Sequence, residues 1–434
     1  MTGAADARET IFTVLRRVEA GQAYSTALLH HTLARTRHTP ADRAFITEVV
    51  LGTLRQRGRL DHALNAVLPR GLATLPVAIQ VILRLGLYQL WFLDRVPDAA
   101  AVDTSVELAR RHGHRGTAGL VNAVLRRLAA AGEPPPPDPA ADPAGHLAVV
   151  YSHPRWLVER WLRRWGWEET ARLCAANNTP PPSTLRVNRL RATPDEVAER
   201  LRARGMAVAP GVVPEALRVR GPLDERLDLY RDGLVTMQDE GSMVVARAVD
   251  PRPGETVLDA AAAPGGKATH LAELMENCGR VIACDVQPGR LRLVAQQVAR
   301  LGLDIVEAHH LDAREAGRRF AGAADRVLLD APCTGTGVVR RRPEIRWRLR
   351  PSAPTEMAAR QAALLAGVRG AVRPGGRLVY AVCSLEPEEG PEVVEGFVRR
   401  YPAFRVEETR TLLPHRDDTD GFYLAVLERT GRAA

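Results

Sequence analysis

The stretch Val257-Leu258-Asp259-Ala260-Ala261-Ala262-Ala263-Pro264-Gly265-Gly266-Lys267 decides the fold. An apolar run ends in an acid, passes through small residues, turns at Pro-Gly-Gly and meets a single cation. That order reads as a buried strand, a tight turn and the entry to a helix. The same grammar continues outward from it. Val281-Ile282-Ala283, Ile305-Val306, Val327-Leu328-Leu329, Leu378-Val379-Tyr380 and Phe422-Tyr423-Leu424-Ala425-Val426-Leu427 read as strands. Helical stretches such as 290–301 and 355–372 lie between them. Strands alternating with helices predict an α/β, Rossmann-like domain with a mostly parallel, doubly wound sheet. In such sheets ligands bind at the carboxyl ends of the strands.

The rest of the chain divides around this domain. A length of 434 residues suggests two or three domains. Residues 1–132 show apolar spacing of helical period, as in Ile11, Val14, Leu15 and Val18, or Val77, Val81, Leu85 and Tyr88. They predict an all-α domain. Residues 133–145, with four consecutive prolines at 134–137, predict a stiff linker. Residues 146–247 mix a Trp-rich helix (Trp156, Trp161, Trp165, Trp167), a strand near 183–188 and a helix after Thr193-Pro194-Asp195, and predict a small α+β subdomain. The tryptophans read as core rather than as base-stacking platforms. Residues 248–434 form the doubly wound domain.

The composition narrows the partners. The formal net charge is +9, which suits a polyanion. Arginines cluster through the helical region at Arg16-Arg17, Arg55 to Arg59, Arg110-Arg111, Arg115 and Arg126-Arg127. Each cluster alone reads as a solvated face; as a set they suit phosphate contacts. Arg340 to Arg350 carries six arginines and Trp347, and predicts RNA backbone contact. Of the 60 basic residues only Lys267 is lysine. Its place inside a glycine-rich loop suggests a task for a compact ammonium that a planar guanidinium does not perform. The five cysteines form no C-x-x-C pair, which disfavours structural zinc and a disulfide framework, and no metal is expected. No apolar run is long enough to span a membrane. Met1 to Asp6 carries no export pattern. A cytoplasmic monomer is the expectation.

The loop from Asp259 to Lys267 is neither G-x-G-x-x-G nor G-x-x-x-x-G-K-[ST], so a dinucleotide and a P-loop nucleotide are both disfavoured. Asp285 closes the second strand, where a carboxylate accepts from ribose hydroxyls. Asp312 follows the third strand and suits an adenine amino group. A glycine-rich loop with carboxylates and no phosphate apparatus fits S-adenosyl-L-methionine. Two further strand tips carry cysteines: Asp330-Ala331-Pro332-Cys333-Thr334-Gly335-Thr336-Gly337, and Cys383 after Leu378 to Val382. A thiolate adding to C6 of cytosine makes C5 nucleophilic, and a base nearby then allows the C5 proton and the thiolate to leave. Asp330 is placed to bond the cytosine edge.

Asp259 to Lys267, Asp285, Asp312, Asp330 to Gly337, Arg341-Arg342-Pro343-Glu344, and Tyr380-Ala381-Val382-Cys383-Ser384 with Glu386-Pro387-Glu388-Glu389 resemble the RNA cytosine-C5 methyltransferases of the NOP2/Sun type. Ile82 to Leu90, Val96-Pro97 with Val106 to Ala109, and Leu120 to Arg126 resemble a NusB-type RNA-binding domain. The whole chain is thereby similar to the bacterial RsmB (Sun) subgroup. The resemblance implies formation of 5-methylcytosine in 16S rRNA through a covalent adduct, with Cys383 as nucleophile, Cys333 assisting release and Asp330 orienting the base. It also implies Ala261, Ala262, Ala263, Pro264, Gly265, Gly266, Lys267, Asp285, Asp312 and Asp330 as the cofactor-binding set. DNA cytosine methyltransferases instead use the Pro-Cys cysteine, which here would be Cys333. The chain departs from the family at Ala261, where relatives often carry Cys, and at Val382, where they often carry Thr. The alternatives are the same chemistry on tRNA or 23S rRNA, and a non-catalytic RNA-binding assembly factor. Both cysteines and the three carboxylates are retained, which weighs against the last.

Overall fold

The computed structural model describes residues 6–221 and 223–431; Met1 to Ala5, on which the absence of an export pattern partly rests, lie outside the described residues. The chain forms two compact units. One comprises Met1–Pro180 with Val339–Pro351. The other comprises Pro181–Val338 with Ser352–Ala434.

The first unit is the expected helical one. Helices at Ala7–Glu19, Ser25–Arg35, Pro40–Arg55, Arg57–Val67, Val77–Phe92, Asp98–His112 and Arg115–Ala131 close over a core that includes Ile11, Phe12, Leu15, Ile46, Val50, Ile82, Leu85, Val121 and Leu125. The local signals act as the sequence suggests. Thr39 caps its helix reciprocally with Asp42, and Pro40 takes the first turn, where its missing N–H costs nothing. The segment 132–142 has no helix or strand. The expected linker 133–145 gives up its last positions to a helix at Pro143–Val150. The Trp-rich stretch is a helix, Arg155–Ala176, kinked at Gly166. Trp161 is buried as expected of a core residue, whereas Trp167 is exposed.

The arginine-rich segment corrects an expectation. Arg346 is 0% exposed. Its Nη1 donates to the Ser152 carbonyl at 3.0 Å and to Asn178 Oδ1 at 2.8 Å, and its Nη2 to the Asn177 carbonyl at 3.0 Å. Burial pulls this guanidinium down to about 9. Arg340 donates to the Pro180 carbonyl at 3.0 Å, and Arg348 to those of Val18 and Ala23 at 2.7 and 2.6 Å. Trp347 Nε1 donates to the Leu54 carbonyl at 3.2 Å, and Glu344 accepts from the Ser25 N–H and hydroxyl at 2.8 and 2.7 Å. Arg340 and Arg346, both buried, therefore satisfy backbone carbonyls of their own unit rather than lying along a nucleic-acid backbone, while Arg348 bonds carbonyls and stays exposed.

The second unit holds two sheets. The smaller is antiparallel, in the order β2 (Ala207–Pro210), β3 (Ala216–Arg220), β1 (Thr184–Val187), β4 (Val235–Met237). Leu185 and Val187 face its own apolar core with Val197 and Leu201 of the helix Pro194–Arg202. The alternate residues Arg186 and Asn188 point the other way. Arg186 donates twice to Glu273, at 2.9 and 2.7 Å, and also to Thr269 Oγ1 at 3.0 Å and the Gly266 carbonyl at 2.7 Å.

The larger sheet runs β10 (Phe404–Leu412), β11 (Phe422–Arg429), β9 (Val372–Val382), β8 (Ala324–Asp330), β5 (Thr256–Asp259), β6 (Arg280–Asp285), β7 (Val306–His310). β5 to β9 are parallel; β11 pairs antiparallel with β9 and β10 with β11. From β5 the chain builds outward to β6 and β7, then returns to lay β8 and β9 on the other side. The topological switch thus falls between β5 and β8, where a crevice opens beyond the strand ends. No helix among the described residues is long and apolar enough to cross a membrane.

Candidate active site at the switch point

β5 ends at Asp259, opposite Leu328 across the switch, and β8 runs on two residues further to Asp330. After β5 the chain turns through a cis Ala263–Pro264 peptide into Gly265. Gly265 has φ +109°, and a Cβ there would sit 3.1 Å from the Val294 Cα, so only glycine closes this turn without strain. The helix Gly266–Leu274 starts immediately afterwards and aims Lys267 back at the sheet. Lys267 Nζ donates to Asp330 Oδ2 at 2.6 Å. Burial alone would lower this ammonium, but the carboxylates of Asp330 and Asp259 and the Cys383 sulfur outweigh it, and its pKa is raised.

β8 and β9 are in register, with Asp330 opposite Ala381. Beyond the strands the two loops stay zipped: Ala331 N–H donates to the Ala381 carbonyl at 2.8 Å and Gly337 N–H to the Cys383 carbonyl at 3.0 Å. Gly337 lies against Gly421, and a Cβ on it would meet the Gly421 carbonyl oxygen at 2.1 Å. This pairing brings the two cysteines together, with Cys333 Sγ 3.2 Å from Cys383 Sγ. Both are partly exposed. The hydrogen bond to Cys383, burial, and the nearby charges of Cys383, Glu389 and Asp330 raise the Cys333 thiol well above the usual range. Either sulfur can be the donor in this contact. Asp330, Cys333, Cys383 and Lys267 form one cluster, and Asp259 lies behind it.

Asp285, at the end of β6, accepts from the Gln287 N–H at 2.8 Å and the Ala263 N–H at 3.3 Å. Leu311 N–H donates to the Asp285 carbonyl at 3.2 Å, which brings Asp312 beside it. Asp312 caps the helix Ala313–Arg319 and pairs with Arg314 at 2.6 Å. Hydrogen bonds from Arg314 hold its carboxyl below the usual range.

Asp259 is 1% exposed, and its Oδ2 is buried without a hydrogen-bond partner. Burial raises it to about 7, against the pull of Lys267. An orphaned acceptor at the switch point, beside a glycine turn, is what a bound cationic ligand with donor groups would satisfy. These residues therefore fit S-adenosyl-L-methionine, which carries both an ammonium and a sulfonium.

Several residues at this site escape sequence reasoning. Arg290 Nη2 donates to the Ala263 carbonyl at 2.6 Å and fixes the loop. Glu389, Thr334, Thr336, Ser384 and Gln361 form a buried network behind the cysteines. Arg186 anchors the first turn of the Lys267 helix. Thr334, Thr336, Ser384 and Glu389 stand within the motifs read from the sequence, but nothing local in it joins them into a network. The Val382 departure is resolved by strand alternation. Its side chain packs in the apolar cluster with Leu329, Tyr380 and Val394, on the face away from Cys383. Separately, in the helical unit, Arg110, Arg115, Asn122 and Arg126 line an open groove of about 960 Å³ formed by the helices Asp98–His112 and Arg115–Ala131.

Comparison with known proteins agrees with this geometry. Residues 246–428 match the family model of the 16S rRNA methyltransferases RsmB/F, residues 5–130 the NusB family, and residues 153–225 the ferredoxin-like domain of the RsmF/B-like methyltransferases. The chain is similar to the probable ribosomal RNA small subunit methyltransferase B of Bacillus subtilis, with 37% identity covering 98% of this chain and 99% of that one. It is similar to ribosomal RNA small subunit methyltransferase B of Serratia proteamaculans, with 34% identity over 94% and 95%. Among solved structures it resembles PH0851, with TM-score 0.85 and 29% identity over 99% of this chain and 100% of that one. With a NusB domain, a ferredoxin-like subdomain and a Rossmann-like fold whose switch point fits S-adenosyl-L-methionine, the chain belongs to the RsmB/F family of 16S rRNA methyltransferases.

Proposed function

We propose that the chain forms 5-methylcytosine in 16S rRNA through a covalent adduct on Cys383. The observation that carries this is the pair of cysteine sulfurs 3.2 Å apart, beside the Lys267–Asp330 ion pair, at the switch point. Cys383, as thiolate, adds to C6, and the C5–C6 π electrons move to C5. S-adenosyl-L-methionine, when bound, supplies the electrophilic methyl that C5 takes. Loss of the C5 proton to a base then restores the double bond and expels the Cys383 thiolate. Cys333, with its sulfur 3.2 Å from that of Cys383, sits where as a thiol it hands a proton to the departing sulfur. Asp330 spends Oδ2 on Lys267, while Oδ1 makes no hydrogen bond within the protein among the described residues and accepts from the cytosine amino group. Asp259, Asp285, Asp312 and the loop Ala261 to Lys267 hold the cofactor. A cytosine in duplex RNA must leave its stack to reach this crevice. The groove lined by Arg110, Arg115 and Arg126 takes the phosphate backbone.

Tritium release from 16S rRNA carrying 5-tritiated cytosine tests this reading. Release that depends on S-adenosyl-L-methionine is expected. Methyl incorporation without tritium release would overturn the C5 assignment.

A further inference from the structure

Behind the two cysteines lies a carboxylate that the proposed chemistry does not use. Glu389 is 0% exposed and faces four donors. Oε1 accepts from the Thr334 N–H at 2.8 Å and from Gln361 Nε2 at 3.0 Å. Oε2 accepts from the Ser384 hydroxyl at 2.5 Å and from the Thr334 hydroxyl. Thr334 follows Cys333 and Ser384 follows Cys383. One side chain thus holds the residue after each cysteine, on two loops that are also joined by backbone bonds and by the Thr336 hydroxyl.

Glu389 Oε1 is fixed as an acceptor by the two N–H donors it faces. Thr336 Oγ1 accepts from the Leu385 N–H at 2.9 Å and shares a hydrogen bond with Ser384 Oγ, 3.2 Å away. Ser384 Oγ also accepts from the Glu386 N–H at 3.2 Å. Ser384 Oγ gives its one hydrogen to Glu389 Oε2 at 2.5 Å, the shortest of its contacts, and lies 3.1 Å from Thr334 Oγ1. Thr334 N–H and Gln361 Nε2 have no alternative to donating. As a carboxylate Glu389 accepts all four of these bonds, whereas a carboxamide keeps only one acceptor oxygen. In Glu389→Gln the amide NH₂ replaces one of the two acceptor oxygens, so that either the N–H bonds at Oε1 are lost or the hydroxyl bonds at Oε2 must reverse.

We propose that Glu389 is a positioning residue that sets the separation of Cys333 and Cys383, and through it the passage from attack to release. The proposal rests on the two-cysteine reading above. Cys383 directly follows β9, whose pairing with β8 and β11 does not involve position 389, so attack is preserved. The Cys333 loop is the part that shifts, so release suffers.

The experiment compares wild type, E389Q, T334V and S384A on 16S rRNA with S-adenosyl-L-methionine. Wild type must first transfer methyl and release tritium; if it does not, the parent reading fails and not this one. In E389Q, kcat should fall at least tenfold with KM for both substrates unchanged, and a covalent RNA adduct should accumulate on denaturing gels. T334V and S384A, each removing one hydroxyl, should show the same pattern to a smaller degree, and they carry the test if E389Q does not fold. A second readout reports the sulfur separation directly. Treatment with diamide oxidises the two thiols to a disulfide as the diazene is reduced to the hydrazine. Closure of Cys333 to Cys383 should be slower in the variants than in wild type. Variants that lose activity without adduct and close the disulfide at the wild-type rate would overturn the proposal, as would variants with wild-type kcat.

Discussion

Replacing Arg186 by Met removes the cation of a buried pair in which Arg186 is 0% and Glu273 4% exposed. The guanidinium gives two bonds to Glu273 and one each to Thr269 Oγ1 and the Gly266 carbonyl, and it also bonds Gln238. Met fills a similar volume, so the cost is electrical rather than steric. Breaking a buried pair from one side costs about 3–5 kcal/mol, because the other charge stays buried and unpaired. At about 2–4 °C per kcal/mol for a unit of this size, the midpoint of thermal unfolding should fall by roughly 10 °C. Gly266 begins the helix that carries Lys267, so the KM for S-adenosyl-L-methionine should rise as well. The double variant R186M/E273M removes both charges and should recover most of the lost stability. Scanning calorimetry of wild type, both single variants and the double variant measures each term. A midpoint for R186M within about 2 °C of wild type would refute the reasoning, as would a double variant no better than R186M.

Three further expectations concern other parts of the molecule. Asp259 is raised to about 7 in the folded protein from an ordinary 3.8. The native state then binds the proton more tightly, so this group lowers stability as pH rises from about 4 to 7, by on the order of 4 kcal/mol in total; D259N should flatten that slope in pH-dependent urea unfolding of the free enzyme. V382T places a hydroxyl in an apolar core and should cost about 1–3 kcal/mol while leaving kcat unchanged; a large change in kcat would show that position 382 reaches the nucleophile. R110E and R115E should weaken RNA binding for all sequences alike and reduce the slope of log K against log salt by about 1 per lost phosphate contact, measured by filter binding.

The parts legible in the sequence were those written in local pattern. Alternating apolar runs and helical spacing gave the parallel strands, and the small-residue turn before Lys267 marked the switch-point loop. β10 was missed because seven of the nine residues in Phe404–Leu412 are exposed, which leaves an edge strand no apolar alternation to read. The arginines at 340 and 346 were misread because a guanidinium that caps backbone carbonyls has the same sequence signature as one that binds phosphate. Only burial separates the two uses. Arg186 was invisible for a related reason: a cation in a short buried strand has meaning only once Glu273 is opposite it. Glu389 was quoted within a motif, yet its bonds to Thr334 and Ser384 arise from the pairing of β8 with β9, which no local window contains.

The central claim is that Cys383 attacks and Cys333 releases. RNA carrying 5-fluorocytosine tests it most directly, since fluorine at C5 blocks the elimination and traps the adduct on whichever cysteine attacked. Mass spectrometry of the digested complex should place the nucleotide on Cys383. With unmodified RNA, C333A should accumulate the adduct and C383A should form none. A nucleotide mapped to Cys333, or an adduct that persists in C383A, would contradict the account.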